Sequence, residues 1–147
     1  NRMNWEKLKP LHYKKHPVEH LYTGSIFRTD EYERLYENQN NLEHSAWKQF
    51  DEHYKTGYQF YRNLEDINFE KEVIALWFFK DRNDRSAGSR DIVMNGTNIL
   101  YAPNHFLLTK SKDFQIIQRE KRQWINRPVI QLDLKESTYE KICERFR

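Results

Sequence analysis

The sequence has little with which to cross-link, hinge or break a chain. It holds one cysteine, Cys143, so no disulfide can close within it, and nothing points to an oxidising compartment. Glycine and proline number four each, which leaves few places for a flexible linker. No run approaches the ~20 apolar residues that span a bilayer as a helix. No segment repeats and none is of low complexity. The opening residues, Asn1 to Asn4, carry no signal-peptide core. The expectation is an intracellular chain or a fragment of a longer one, in which a removed targeting segment would leave no trace. Neither sign of charge dominates. Lys and Arg total 25 against 22 Asp and Glu, a net charge of +3, so nucleic acid is allowed as a partner but not demanded.

Aromatic residues are what the sequence has in excess. Nine Tyr, nine Phe and four Trp make 15% of the chain, while hydrophobic residues as a whole reach only 37%. Aromatic side chains bury much area each, so a modest hydrophobic share still builds a core. Disordered chains are poor in them, so a fold is expected over residues 1–147 as one domain.

Local patterns give an order of elements. Residues 1–19 read as a basic arm, interrupted by Pro10 and Pro17. Residues 20–28, which open with "HLYTGSIF", read as a short strand. Asp30 and Glu33 have capping-box spacing at the head of a helix whose face holds Tyr32, Leu35 and Tyr36. Trp47, Phe50, Tyr54, Tyr58 and Tyr61 recur at three- and four-residue steps, which predicts a second helix over about 43–62. "VIALWFF" (73–79) is apolar at both parities, the mark of a central strand covered on both faces. Asn95-Gly96 between two apolar runs predicts a hairpin, since a type I′ turn needs positive φ at both central residues. "HFLLT", "FQIIQ" and "VIQLDL" supply further strands. Ser137 and Glu140 head a C-terminal helix with Tyr139, Ile142, Cys143 and Phe146 on its apolar stripe. The fold class predicted is α+β: an antiparallel meander of about five to six strands, two helices inserted after the first strand, and a C-terminal helix packed on the sheet.

Candidate chemistry is sparse. His16-Pro17-Val18-Glu19-His20 matches H-x-x-E-H, a zinc-peptidase motif that needs both histidines on one helix face. Pro17 and the strand-like residues that follow argue against that helix, and no third ligand is marked, so no metal is assigned. Cys143 falls on an apolar stripe, where a free cysteine behaves as a small hydrophobe. No Walker or dinucleotide motif appears, so no cofactor is assigned either. The loop 80–91 presents Arg82, Arg85 and Arg90 among aspartates, and 119–127 sets Arg119, Lys121, Arg122 and Arg127 around Trp124. Basic side chains beside an aromatic suit single-stranded nucleic acid, where phosphates pair and bases stack, although solvated charged loops are commoner.

"HYKKHP" (12–17) and "IALWFFKDRND" (74–84) resemble two pieces of the translation cap-binding initiation factor family. In that family the pieces are adjacent, whereas here more than fifty residues separate them. The downstream segments do not match, and no pair of tryptophans is placed as a cap sandwich, so no residue is carried over.

The sequence reading is thus a non-enzymatic protein-interaction module, or a small subunit of a larger assembly, with another protein as partner. Tyr and Trp are favoured at interfaces, and no catalytic constellation stands out. The alternatives are a single-stranded RNA-binding domain using the basic-aromatic segments, and an enzyme whose site is assembled from distant residues.

Overall fold

The computed structural model describes residues 5–54, 57–84, 91–117 and 126–147. Short 3-10 turns at Trp5–Lys7 and Pro10–His12 lead into strand β1, Tyr13–Lys14. There follow β2 (His20–Gly24), helices α1 (Thr29–Glu37) and α2 (Ser45–His53), β3 (Tyr58–Tyr61) and β4 (Val73–Phe78). Then come β5 (Ile92–Met94), β6 (Thr97–Ile99), β7 (His105–Lys110), β8 (Gln115–Ile116), β9 (Val129–Leu132) and helix α3 (Glu136–Glu144). The class is α+β, with a six-stranded antiparallel sheet in the order β1-β2-β7-β4-β9-β3 and a three-stranded sheet in the order β6-β5-β8. Among the described residues no helix is long and apolar enough to cross a membrane.

The two-sided apolar run does become an interior strand. β4 lies between β7 and β9, and every residue from Val73 to Phe79 is buried. Its side chains alternate between two cores, as the pleat requires. Val73, Ala75, Trp77 and Phe79 meet the residues that the helices turn inward, among them Leu35, Phe50 and Ile142. Ile74, Leu76 and Phe78 meet Ile92, Met94, Tyr101 and Phe114 on the other side. The Asn95-Gly96 hairpin forms with both residues at positive φ, 47° and 83°. It joins β5 to β6 in the small sheet, not the large one. The strands are antiparallel, but their order departs from a sequential meander because these three-residue strands cover one face of β4 instead of extending its edge.

Two helix expectations are corrected. The second helix does not run to residue 62. It stops at His53, Gly57 takes a left-handed φ of 101°, and Tyr58–Tyr61 is a strand. Glycine alone adopts that φ without cost, and the aromatics beyond it suit a pleated surface. The capping-box spacings are not the caps either. α1 starts at Thr29, with Asp30 in its first turn taking two hydrogen bonds from the Arg28 guanidinium, both 3.1 Å. α3 starts at Glu136, after Lys135. The side-chain cap that does form belongs to α2, where His44 Nδ1 accepts from the Ala46 amide at 3.1 Å.

One asparagine ties three elements together. Asn104 sits in the left-handed region, φ 56°, where asparagine is tolerated better than most residues. Its amide donates to Phe78 O (3.0 Å) at the end of β4, and its carbonyl accepts from the Ser25 amide (2.8 Å) beyond β2. Its side chain accepts from the buried Trp77 indole N–H (2.8 Å) and donates to Ser25 Oγ (2.9 Å). Asn104→Ala should cost about 2–4 kcal/mol, combining backbone strain with an orphaned indole N–H. Asn104→Gly relieves the strain and should cost about half as much. Urea unfolding of the two variants checks this, and equal losses would place the whole effect in the side-chain bonds.

The N-terminal arm is held by a second node. The Glu19 carboxylate accepts from Tyr13 Oη (2.5 Å), Tyr139 Oη (3.0 Å), and Arg147 Nε and Nη2 (2.8 and 2.7 Å). Arg147 holds this carboxyl down to about 2, from an ordinary 4.5, with the two tyrosine hydroxyls adding to the effect. An acid with a depressed folded-state pKa gives stability that is complete above its unfolded value and lost as pH falls through the folded one. Glu19→Gln should therefore cost about 1–2 kcal/mol at neutral pH, where solvent at this partly exposed site screens the pair. The deficit relative to the parent should shrink between about pH 4.5 and pH 2. Denaturation at a series of pH values tests the sign, and a deficit that stays constant across that window would remove the charge from the explanation.

Candidate functional site

β3 is an end strand of the large sheet. It pairs with β9 in the register Tyr58↔Leu132, Gln59↔Gln131, Phe60↔Ile130, Tyr61↔Val129, and among the described residues no strand lies on its other side. The Asp133 amide donates to Gly57 O at 3.0 Å, which makes that pair a hydrogen-bonded one. In an antiparallel ladder such pairs alternate, so Gln59 and Tyr61 turn their backbone groups toward β9. Tyr58 and Phe60 turn theirs outward. Consistently, Phe60 O is reached by the Gln59 side-chain amide at 3.4 Å. The opposite end strand, β1, has two residues, so β3 is the longer of the two edges.

The side chains of Tyr58 and Phe60 lie on the helix side of the sheet. Trp47, on α2, packs its ring against both, at 6.5 Å from Tyr58 and 5.5 Å edge-on to Phe60. Trp47 is fixed in turn by its indole N–H, which donates to Asn38 O at 2.8 Å. Between α2 and β3 runs a cavity of about 510 Å³, lined among others by Leu42, Trp47, Asp51, Tyr54, Tyr58 and Phe60. Trp47 and Tyr54 are buried behind its wall, Tyr58 and Phe60 are half-buried, and Leu42 is 51% exposed. Tyr58 donates its hydroxyl to Asp51, and burial, ahead of this bond, raises the phenol's pKa above the ordinary tyrosine range. The cleft is thus an aromatic trough with an open backbone along one rim and a carboxylate in its wall.

The residues marked in the sequence are not gathered there. Arg119, Lys121, Arg122 and Trp124, with Arg85 and Arg90, lie outside the described residues. Arg82 is exposed, pairs with Glu33, and lays its guanidinium 4.5 Å from the centre of the Tyr36 ring. Its amide donates to Tyr36 Oη at 2.8 Å, so it fastens the end of β4 to α1. Arg127 is a correction. Its side chain is 2% exposed and cannot offer itself to a phosphate at the surface. It pairs with Asp91 (3.4 Å) and Glu65 (3.3 Å), and donates to Ile117 O at 3.0 Å. A buried charge needs such partners, and these are what draw it inward.

The histidine motif does not assemble a metal site in the way a peptidase does. Residues 15–19 form no helix, His16 is exposed, and His20 is buried in β2 with Nδ1 2.7 Å from Val18 O. The Glu19 carboxylate is occupied by Tyr13, Tyr139 and Arg147. Among the described residues no group of three or more His, Cys, Asp or Glu converges. Cys143 is buried, and burial pushes its thiol up to about 11, away from the reactive thiolate.

Sequence reasoning missed the β3 cleft because it absorbed Tyr58 and Tyr61 into a helix. The available signal was Gly57 followed by Tyr-Gln-Phe-Tyr, a break and then a run with strand composition. Compared with protein-family models, with curated proteins and with solved structures, the chain matches none.

Proposed function

We propose that this chain is a protein-interaction module that takes up an extended segment of another protein along the outer edge of β3. The observation that carries the reading is the outward-facing backbone of Tyr58 and Phe60 beside an aromatic trough. Recognition by strand addition uses these two parts. Main-chain hydrogen bonds supply affinity, and pockets for alternate side chains supply selectivity. An exposed edge invites indiscriminate pairing, so folded proteins shorten it, charge it or cover it. At four residues, β3 is short enough to limit aggregation and long enough to exchange bonds with one segment. The trough supplies aromatic surface, which is favoured where proteins meet.

The test is a selection of peptides from a displayed library on the immobilised chain, followed by amide mapping of each binder by NMR. Binders should have dissociation constants of roughly micromolar order, about −8 kcal/mol, and should shift the amides of 57–61 and of α2. Methylating alternate backbone nitrogens of the peptide should weaken binding about tenfold or more. Binders that map elsewhere, or an oligonucleotide that binds where no peptide does, would overturn the reading.

A further inference from the structure

We propose that the segment taken up along β3 carries a lysine or arginine whose side chain enters the trough and meets Asp51. The inference rests on the strand-addition reading and adds the chemistry of the occupant. A residue paired opposite Tyr58 or Phe60 shares their face of the sheet, so its side chain points toward α2. There the aliphatic stem of a lysine or arginine can lie along the half-buried rings of Tyr58 and Phe60, with the cation near their faces.

Charge decides which side chain fits. Asp51 is the one Asp, Glu, Lys, Arg or His among the described residues lining the trough. It forms no ion pair with a lysine or arginine among the described residues; Lys48, one turn earlier on α2, does not line the trough. Asp51 accepts the Tyr58 hydroxyl through Oδ1, and an ionised carboxylate has about four acceptor positions, so Oδ2 stays available. The neighbouring carboxylate at the Gly57 end, Asp133, is already held by Lys71 at 2.6 Å. An apolar side chain would cover Asp51 without compensating it, and an acidic one would be repelled. A cation satisfies both the rings and the carboxylate.

The probe is a short peptide of alternating threonine and valine in which the residue facing the trough is lysine, norleucine or glutamate. Binding is measured by fluorescence anisotropy at low and high salt, and the site by the amide shifts of Tyr58 and Phe60. The lysine peptide should bind about tenfold more tightly than the norleucine one, with glutamate weakest, and added salt should narrow the gap. Asp51→Asn, which still accepts the Tyr58 hydroxyl, should melt like the parent, keep norleucine binding and lose the lysine preference. Equal binding of lysine and norleucine, with the Tyr58 and Phe60 amides still shifting, would overturn the cation preference and leave strand addition standing. Failure of every peptide to shift those amides would overturn both.

Discussion

Everything in this fold leans on β4. Seven consecutive side chains, Val73 to Phe79, are shut away from water, and they divide between two separate cores. At about 1.5–3 kcal/mol for each large apolar side chain, the strand contributes roughly 10–15 kcal/mol of gross burial. That is comparable with the whole net stability of an ordinary domain. The helices and the small sheet need not touch each other to be coupled, since each closes one face of the same strand. Polar fastenings are placed at its end. Asn104 holds Phe78 O and the Trp77 indole, and Arg82 fixes the residues just beyond to α1.

The open edge follows from this arrangement. A central strand needs neighbours on both sides, and β7 and β9 supply them. β9 needs another strand in turn, which is β3, and among the described residues the sheet stops there. Its last strand keeps aromatic side chains on the helix face because they complete the core around Trp47 and Phe50. Stability therefore asks for the aromatics at 58 and 60, and their outer rims become a surface as a consequence. Asp51 stands exposed on α2 and accepts the Tyr58 hydroxyl in the wall of the same trough.

How much of this could be seen in the sequence depended on whether a pattern was local. The apolar run at 73–79 announces burial on both faces whatever covers it, and Asn95-Gly96 announces a turn through φ alone. Neither says which sheet the hairpin joins, because strand pairing is set by residues far apart in the chain. The Tyr54, Tyr58 and Tyr61 spacing fits a helix on paper, yet Gly57 interrupts it with a left-handed φ. Arg127 reads as a surface cation because it closes a segment that also holds Arg119, Lys121 and Arg122. Its partners, Asp91 and Glu65, are 36 and 62 residues away in sequence. The β3 cleft was hidden for the same reason, since its two walls are brought together only when α2 and β9 are in place.

The most direct test of this account is hydrogen exchange of the native chain, read residue by residue along two strands. The amides of Ile74 to Phe78 should exchange only through global unfolding, with the slowest rates in the molecule. On β3 the rates should alternate, with Gln59 and Tyr61 protected by β9 and Tyr58 and Phe60 exchanging quickly through their outward N–H groups. Uniform protection of all four β3 amides in the isolated chain would contradict the account, because it would mean that the edge is already covered.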